Sequence, residues 1–292
     1  MSTESARMND ANGIADFEGR VAFVTGGARG IGRGIVRALL RRGVNVAIAD
    51  ISAAALDEVR AKFGEPQDRV RTYRLDVSDR DAYAEVGAAV AGDLGEVTLL
   101  FNNAGVIDSV SPSRLNYRMW DHVMGINLTG VYNGIQTFVP AMLASSRRCH
   151  VVNTASEAGL LEAGSGFLYH ASKYAVVGMS ESLRRELAHS GVGVSVLLPG
   201  PVATDIVQNA RHLRPDAAPV HSARVIEILD TAHHMLKESG TRPDGVGELV
   251  LDAVEHDRPY VATRNELSDL LDARNAELRA AMEHAEALLA AS

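Results

Sequence analysis

One cysteine in 292 residues leaves no partner for an internal disulfide, and Cys149 opens an apolar run, where a small buried thiol is its expected role. The first residues, MSTESARMNDANGIADF, lack the apolar stretch of a secretory signal. No uninterrupted apolar run approaches the roughly 18 to 20 residues that cross a bilayer. A cytoplasmic location with no membrane partner is therefore expected. Excess positive charge is missing too: the formal net charge is −8, the wrong sign for neutralising phosphate backbones or anionic lipid, which argues against a nucleic-acid partner. No internal repeat or linker divides the chain, and 46% hydrophobic content is enough to bury a large core, so one domain from residue 17 to 292 is expected.

What is present is an alternation of apolar runs with helical patterns. After a polar opening expected to be a mobile tail, residues 1–16, the run RVAFVT reads as a buried strand. Ile31, Ile35, Val36, Leu39 and Leu40 then recur at helical spacing until Gly43. The pattern repeats with strands at 45–50, 70–75, 98–102, 150–154 and 193–198, and helices at 52–63, 79–91, 120–143 and 169–189. Residues 205–244, broken by Pro215, Pro219, Gly240 and Pro243, read as an irregular insertion forming a substrate lid. A helix at 245–255, a last strand at 259–263 and a long amphipathic helix over 266–292 follow. Strands alternating with helices imply an α/β fold: a doubly wound, mostly seven-stranded parallel sheet of Rossmann-like type with helices on both faces.

The segment from Thr25 through Gly26, Arg29, Gly30, Ile31 and Gly32 lies between the first strand and the first helix, where a pyrophosphate can meet a helix N-terminus. Asp50 ends the second strand about 20 residues on, placed to accept the hydroxyl hydrogens of a ribose. Its bland alternative is a helix cap before Ser52. Tyr169 and Lys173 are four apart on a predicted helix and so share one face. A phenol with a reference pKa of about 10 becomes a useful base only when something favours its anion, and a neighbouring ammonium does. With seven Tyr and only three Lys in 292 residues, chance predicts about 0.07 such pairs. Ser156 follows the strand VVNTA at its carboxyl end, where open α/β sheets bind ligands. Asn127, in the apolar stretch MGINLTGVYNGI, is costly unless hydrogen-bonded.

The glycine spacing, together with Asp76-Val77, Asn102-Asn103-Ala104-Gly105, Asn127, Ser156, Tyr169 to Lys173 and Pro199-Gly200, resembles the short-chain dehydrogenase/reductase family over roughly residues 17–204. The resemblance implies that Asp76 and Val77 contact an adenine, that Asn103, Ala104 and Gly105 line the adenosine side, and that the turn carrying Pro199, Gly200, Val202 and Thr204 holds a nicotinamide carboxamide. Ile31 and Ile51, beside Gly30 and Asp50, join the cofactor set. Lys173 would hold the nicotinamide ribose, and Asn127 would anchor a water that relays protons from it. The implied reaction moves a hydride between a secondary alcohol or its ketone and NAD: Ser156 orients the substrate oxygen and Tyr169 exchanges its proton.

NAD is expected over NADP because Asp50 would repel a 2′-phosphate and pair with Arg29. The alternatives are an NADPH-dependent carbonyl or 3-oxoacyl reductase, in which Arg29 meets that phosphate, and a cofactor-sensing protein without turnover, which would be expected to lack Tyr169 or Lys173. The long insertion and C-terminal extension resemble dehydrogenases of bulky aromatic secondary alcohols, with hydroxysteroid-like substrates open. His212, His221, His233 and His234 lack metal-ligand spacing, and no metal is expected. Met119, Trp120 and Met124 read as core or subunit interface. The terminal stripe of Leu267, Leu270, Leu271, Leu278, Met282, Ala285 and Leu289 needs a covering surface, which a dimer or tetramer of the chain would supply.

Overall fold

A computed structural model describes residues 13–63, 69–107, 110, 112–162, 166–215 and 223–290. The apolar runs become β1 (Val21–Thr25), β2 (Asn45–Asp50), β3 (Val70–Arg74), β4 (Val97–Asn102), β5 (Cys149–Thr154), β6 (Val192–Leu198) and β7 (Tyr260–Ala262). All neighbours pair in parallel in the order β3-β2-β1-β4-β5-β6-β7, the expected seven-stranded sheet. Between them run α1 (Gly30–Arg41), α2 (Ala53–Phe63), α3 (Arg80–Leu94), α4 (Tyr117–Met124), α5 (Gly130–Ala144), α6 (Phe167–Glu186), α7 (Ile206–His212), α8 (Ala223–Ser239), α9 (Pro243–Glu255) and α10 (Ser268–Ala290).

Helices cover both faces of the sheet, which is why β1, β4, β5 and β6 are buried along their whole length and read as continuous rather than alternating apolar runs. Within that burial the two-residue period still sorts the side chains. Ala22 and Val24 of β1, with Leu99 and Phe101 of β4, pack toward α1, α2 and α9, while Val21, Phe23, Val97 and Leu100 pack toward α3 and α5. Cys149 is buried at the start of β5, as expected. The order of strands reverses between β1 and β4, and the crevice beyond their carboxyl ends is where such sheets take ligands.

The helix expected over 120–143 is present and continuous over 117–144, with one π turn, Gly125–Thr129, between α4 and α5, where Asn127 bonds the Val106 backbone. Two expectations are corrected. Residues 205–244 are not irregular throughout: they hold α7 and the 17-residue α8, with Pro215 after the first and Gly240 and Pro243 after the second. The breakers fall between helices, and Pro219 and His221 lie outside the described residues. Of the expected tail, residues 1–12 lie outside them as well, whereas Ile14 is 1% exposed and its amide bonds Val254 O at 3.3 Å, so the packed chain begins ahead of Phe17.

α10 has no buried residue among those described, and Leu278, Met282 and Leu289 of the expected stripe stand exposed. Met119 is buried with Val123 and Leu168, as core, while Trp120 is exposed. No described helix is long and apolar enough to cross a membrane.

Candidate active site

A cavity of about 1180 Å³ opens along the carboxyl edge of the sheet. Of the expected catalytic and cofactor residues, all line it except Gly32, which packs on Gly26, and Asn127, which stands beside Gly105. At one end, Gly26 and Gly30 adopt left-handed φ of +61° and +49°, which bends the β1–α1 turn so that the helix start faces the cavity. A Cβ on Gly30 would press on Thr204 at 3.0 Å, and one on Gly32 would strike the Gly26 carbonyl, so only glycine keeps this cradle open and closely packed. The first turn of α1 carries no acidic side chain, leaving its N–H groups and partial positive charge free to meet an anion. Asn103 braces the turn: its amide donates to Thr25 O at 3.0 Å, and its own N–H bonds Thr25 Oγ1 at 2.9 Å.

Asp50 stands at the end of β2, accepting from Ser52 N at 3.0 Å and Ala28 N at 3.3 Å. Burial raises its carboxyl above the ordinary value, and those two N–H groups pull the other way. The cap of α2 is Ser52, whose Oγ accepts from Ala55 N at 3.3 Å, so Asp50 is not needed for that role. Arg29 makes no direct hydrogen bond or contact ion pair with Asp50, although its charge still favours the Asp50 carboxylate from nearby. Arg29 donates instead to Asn209 of α7 at 3.3 Å, because its extended backbone at the start of α1 points the side chain across the cavity. A glycine cradle, a helix N-terminus without acid and a half-buried carboxylate at the end of β2 together fit an adenosine dinucleotide.

At the other end, Tyr169 and Lys173 lie on one face of α6, the lysine Nζ 5.6 Å from the centre of the phenol ring. Lys173 donates to Thr154 O at 2.9 Å, and burial brings its pKa down to about 8. Burial also drives the Tyr169 phenol upward, with the Ser156 hydroxyl beside it acting in the opposite direction. Burial of the ring thus disfavours the phenolate before any cofactor is bound. Ser156 Oγ accepts from Ala158 N at 3.2 Å and reaches Pro199 O at 3.4 Å, so it caps a short turn and faces Tyr169 together.

Asn127 is fully buried and satisfied: it accepts from Val106 N at 2.8 Å and donates to Val106 O at 2.9 Å and Ser172 Oγ at 3.0 Å. Both amide hydrogens are committed, so a proton relay can engage Asn127 only as an acceptor. Its Oδ1 and the Lys173 Nζ both come close to the bare face of Gly105, 3.3 and 3.4 Å from where a Cβ would stand.

The third wall is apolar and comes from the corrected segment: Ile206, Val207 and Leu213 around α7, and Ile228, Leu229 and Met235 of α8. Ion pairs tie these two helices together, Asp205 to Lys237 at 2.7 Å and Arg211 to Asp230 at 2.8 Å. Their ends are zipped by the Val202–Thr241 bridge, with Thr241 N donating to Pro201 O at 2.9 Å. Glu157 and Arg264 also line the cavity and were not singled out in the sequence. Glu157 follows Ser156 directly, and that adjacency was the available signal; nothing near Arg264 marked it. No cluster of three or more His, Cys, Asp or Glu side chains with metal-binding geometry occurs among the described residues.

The short chain dehydrogenase family model matches residues 20–214. The chain is 31% identical over 260 residues to the C alpha-dehydrogenase of Sphingobium sp. strain SYK-6, covering 89% of this chain and 85% of that protein. It is 30% identical over 200 residues to 3beta-hydroxysteroid dehydrogenase 2 of Eggerthella lenta, covering 68% of this chain and 77% of that one. A crystal structure of a short chain dehydrogenase/reductase from Burkholderia phymatum in complex with NAD superposes with a TM-score of 0.85 at 30% identity, covering 91% and 96% of the two chains. The chain belongs to the short-chain dehydrogenase/reductase family, and it is an oxidoreductase that uses a nicotinamide cofactor.

Proposed function

We propose that this protein is a cytoplasmic NAD-dependent dehydrogenase that moves a hydride between a bulky hydrophobic or aromatic secondary alcohol, or its ketone, and nicotinamide. The observation that carries this reading is the meeting of Ser156, Tyr169 and Lys173 on one wall of a cavity whose facing wall is apolar. Ser156 holds the substrate oxygen, Tyr169 takes the alcohol proton, and the Lys173 ammonium stabilises the phenolate as the proton moves on past Asn127. The oxidised nicotinamide supplies the hydride acceptor and a positive ring. Gly26, Arg29, Gly30 and Ile31 hold the phosphates over the start of α1, Gly32 packs that helix against the turn, and Asp50 with Ile51 holds the adenosine ribose. Asp76 and Val77 border the adenine, Asn103, Ala104 and Gly105 the adenosine side, and Pro199, Gly200, Val202 and Thr204 the carboxamide. Positioning by these groups is what turns an encounter into an efficient transfer.

The substrate class rests on the volume of the cavity, its α7–α8 wall, and the similarity to a C alpha-dehydrogenase. In an assay with NAD at alkaline pH, 1-arylalkanols are expected to exceed 2-propanol in kcat/KM by about tenfold or more, since burying even two or three methylene equivalents is worth ~2 kcal/mol. Equal values would remove the apolar wall from the account of specificity.

The chain from Ile14 onward acts as one domain in this reading, and α7 with α8 act as its lid. α8 buries only Leu229, so it opens at low cost. Hydrogen exchange in α8 is expected to be fast beside that of β4 and β5, and to slow when NAD and a substrate ketone are added. Core-like protection that does not change on ligand addition would contradict a lid.

The exposed stripe of α10 supports assembly into a dimer or tetramer of this chain, in which that face is covered. Light scattering at micromolar concentration should give a multiple of the chain mass, and removing residues 266–292 should weaken the assembly. A monomer mass for the full chain would refute it.

A further inference from the structure

The residue after Ser156 and a residue just beyond β7 meet across 107 positions of sequence. Glu157, 8% exposed, receives the Arg264 guanidinium in a two-bond fork, Nε to Oε1 at 2.7 Å and Nη2 to Oε2 at 2.6 Å. Glu266 approaches the same guanidinium at 3.7 Å. The fork lies flat on Gly200: a Cβ there would come within 2.5 Å of both Arg264 Nε and Glu157 Oε1. The backbone around it is tied in the same way. Glu157 N donates to Pro199 O at 3.1 Å, the carbonyl that Ser156 Oγ also reaches at 3.4 Å, and Gly200 N donates to Thr263 Oγ1 at 2.9 Å. A single ion pair therefore joins the carboxyl ends of β5, β6 and β7 where Ser156 leaves one strand and the Pro199–Gly200 turn leaves the next.

With Glu157 nearly buried but Arg264 open to water, solvent screens the pair on one side, so it is not a general source of stability. What it does supply is geometry. A two-bond Arg–carboxylate fork fixes distance and plane together, which a single point charge does not. We propose that Glu157 and Arg264 form a positioning pair for hydride transfer, setting the separation between the Ser156 hydroxyl and the Pro199–Gly200 turn. This rests on the function proposed above, in which the first holds the substrate oxygen and the second the nicotinamide carboxamide. In that reading neither member touches the reacting atoms, and each acts through the backbone it holds. A displacement of about 1 Å between those two sites is enough to lower turnover by up to about 10²-fold.

The test compares Glu157→Gln, Arg264→Gln, Arg264→Lys and the double Gln variant with the parent, using an aryl secondary alcohol and its carbinol-deuterated form. Each single Gln variant is expected to lose about tenfold or more in kcat, while NADH affinity by fluorescence titration stays within about threefold. The deuterium isotope effect on kcat should rise, because hydride transfer itself is slowed. Arg264→Lys should recover part of the loss, and the double variant should lose no more than the worse single one, since the pair acts as a unit. Parental kcat in either Gln variant overturns the proposal. So does a kcat that falls in step with NADH affinity and Tm while the isotope effect stays at its parental value. If Arg264→Gln fails to fold, Arg264→Lys and the double variant decide by the same criteria. Tyr169→Phe measured in parallel separates the two levels: turnover retained there fails the function, whereas a dead Tyr169→Phe beside parental pair variants fails the positioning role alone.

Discussion

Tyr169→Phe is expected to reduce oxidation of a secondary alcohol by about 10²-fold or more while leaving NAD affinity within a few fold. The phenol oxygen stands beside Ser156, where it can exchange a proton with a substrate held there, and Phe keeps the ring, its packing and the Lys173 contact. Burial holds the phenol above its ordinary value, so the reactive anion is scarce at neutral pH. The oxidation rate of the parent should therefore climb through the alkaline range, and that rise should vanish in the variant. Lys173→Ala should behave differently. Its ammonium, with a pKa of about 8, is still mostly charged at neutral pH, so its removal should reduce both turnover and cofactor affinity. Near-parental turnover in a folded Tyr169→Phe protein, read from initial rates, would contradict the assignment.

Asp50→Ala should shrink or reverse a preference for NAD over NADP that is expected to be on the order of 10²-fold or more in the parent, because a few kcal/mol separate the two cofactors. A carboxylate gains two charge-assisted bonds from ribose hydroxyls, whereas a 2′-phosphate would set like charges against each other in a half-buried place. Burial has already raised the Asp50 carboxyl, and donors from the ribose would act in the stabilising direction of Ser52 N and Ala28 N. Arg29 works the other way. It hydrogen-bonds Asn209 and makes no contact pair with Asp50, so although its charge acts on that carboxylate from nearby, the side chain can swing to a phosphate. The comparison is kcat/KM for both cofactors in parent and variant. Equal use of NADP by the parent would mean that Asp50 does not govern the choice.

The seven-stranded sheet was legible because buried parallel strands impose a simple requirement, short β-branched runs such as RVAFVT and CHVVNT separated by helical periods. The glycine turn and Asp50 were legible as neighbours because they belong to one strand–helix–strand unit, which brings them to one end of the cavity. Tyr169 and Lys173 were legible from a helical spacing of four. Residues 205–244 read as irregular because Pro215, Pro219, Gly240 and Pro243 masked the helical period of Leu229, His233 and Leu236 inside α8. Ile14 was lost in a polar neighbourhood, since nothing nearby announces that α9 will cover it. The Glu157–Arg264 fork depends on β7 returning beside β6, which no local pattern of a charged residue encodes.

The most direct measurement of the central claim is the fate of a deuterium placed on the carbinol carbon of an aryl secondary alcohol, incubated with the protein and NAD. The account predicts one deuterium on the nicotinamide ring for each ketone formed, by mass spectrometry of the recovered cofactor, and none in the Tyr169→Phe sample beyond its residual turnover. Ketone formed with the label released to solvent, or no labelled cofactor from any alcohol of this class, would contradict it.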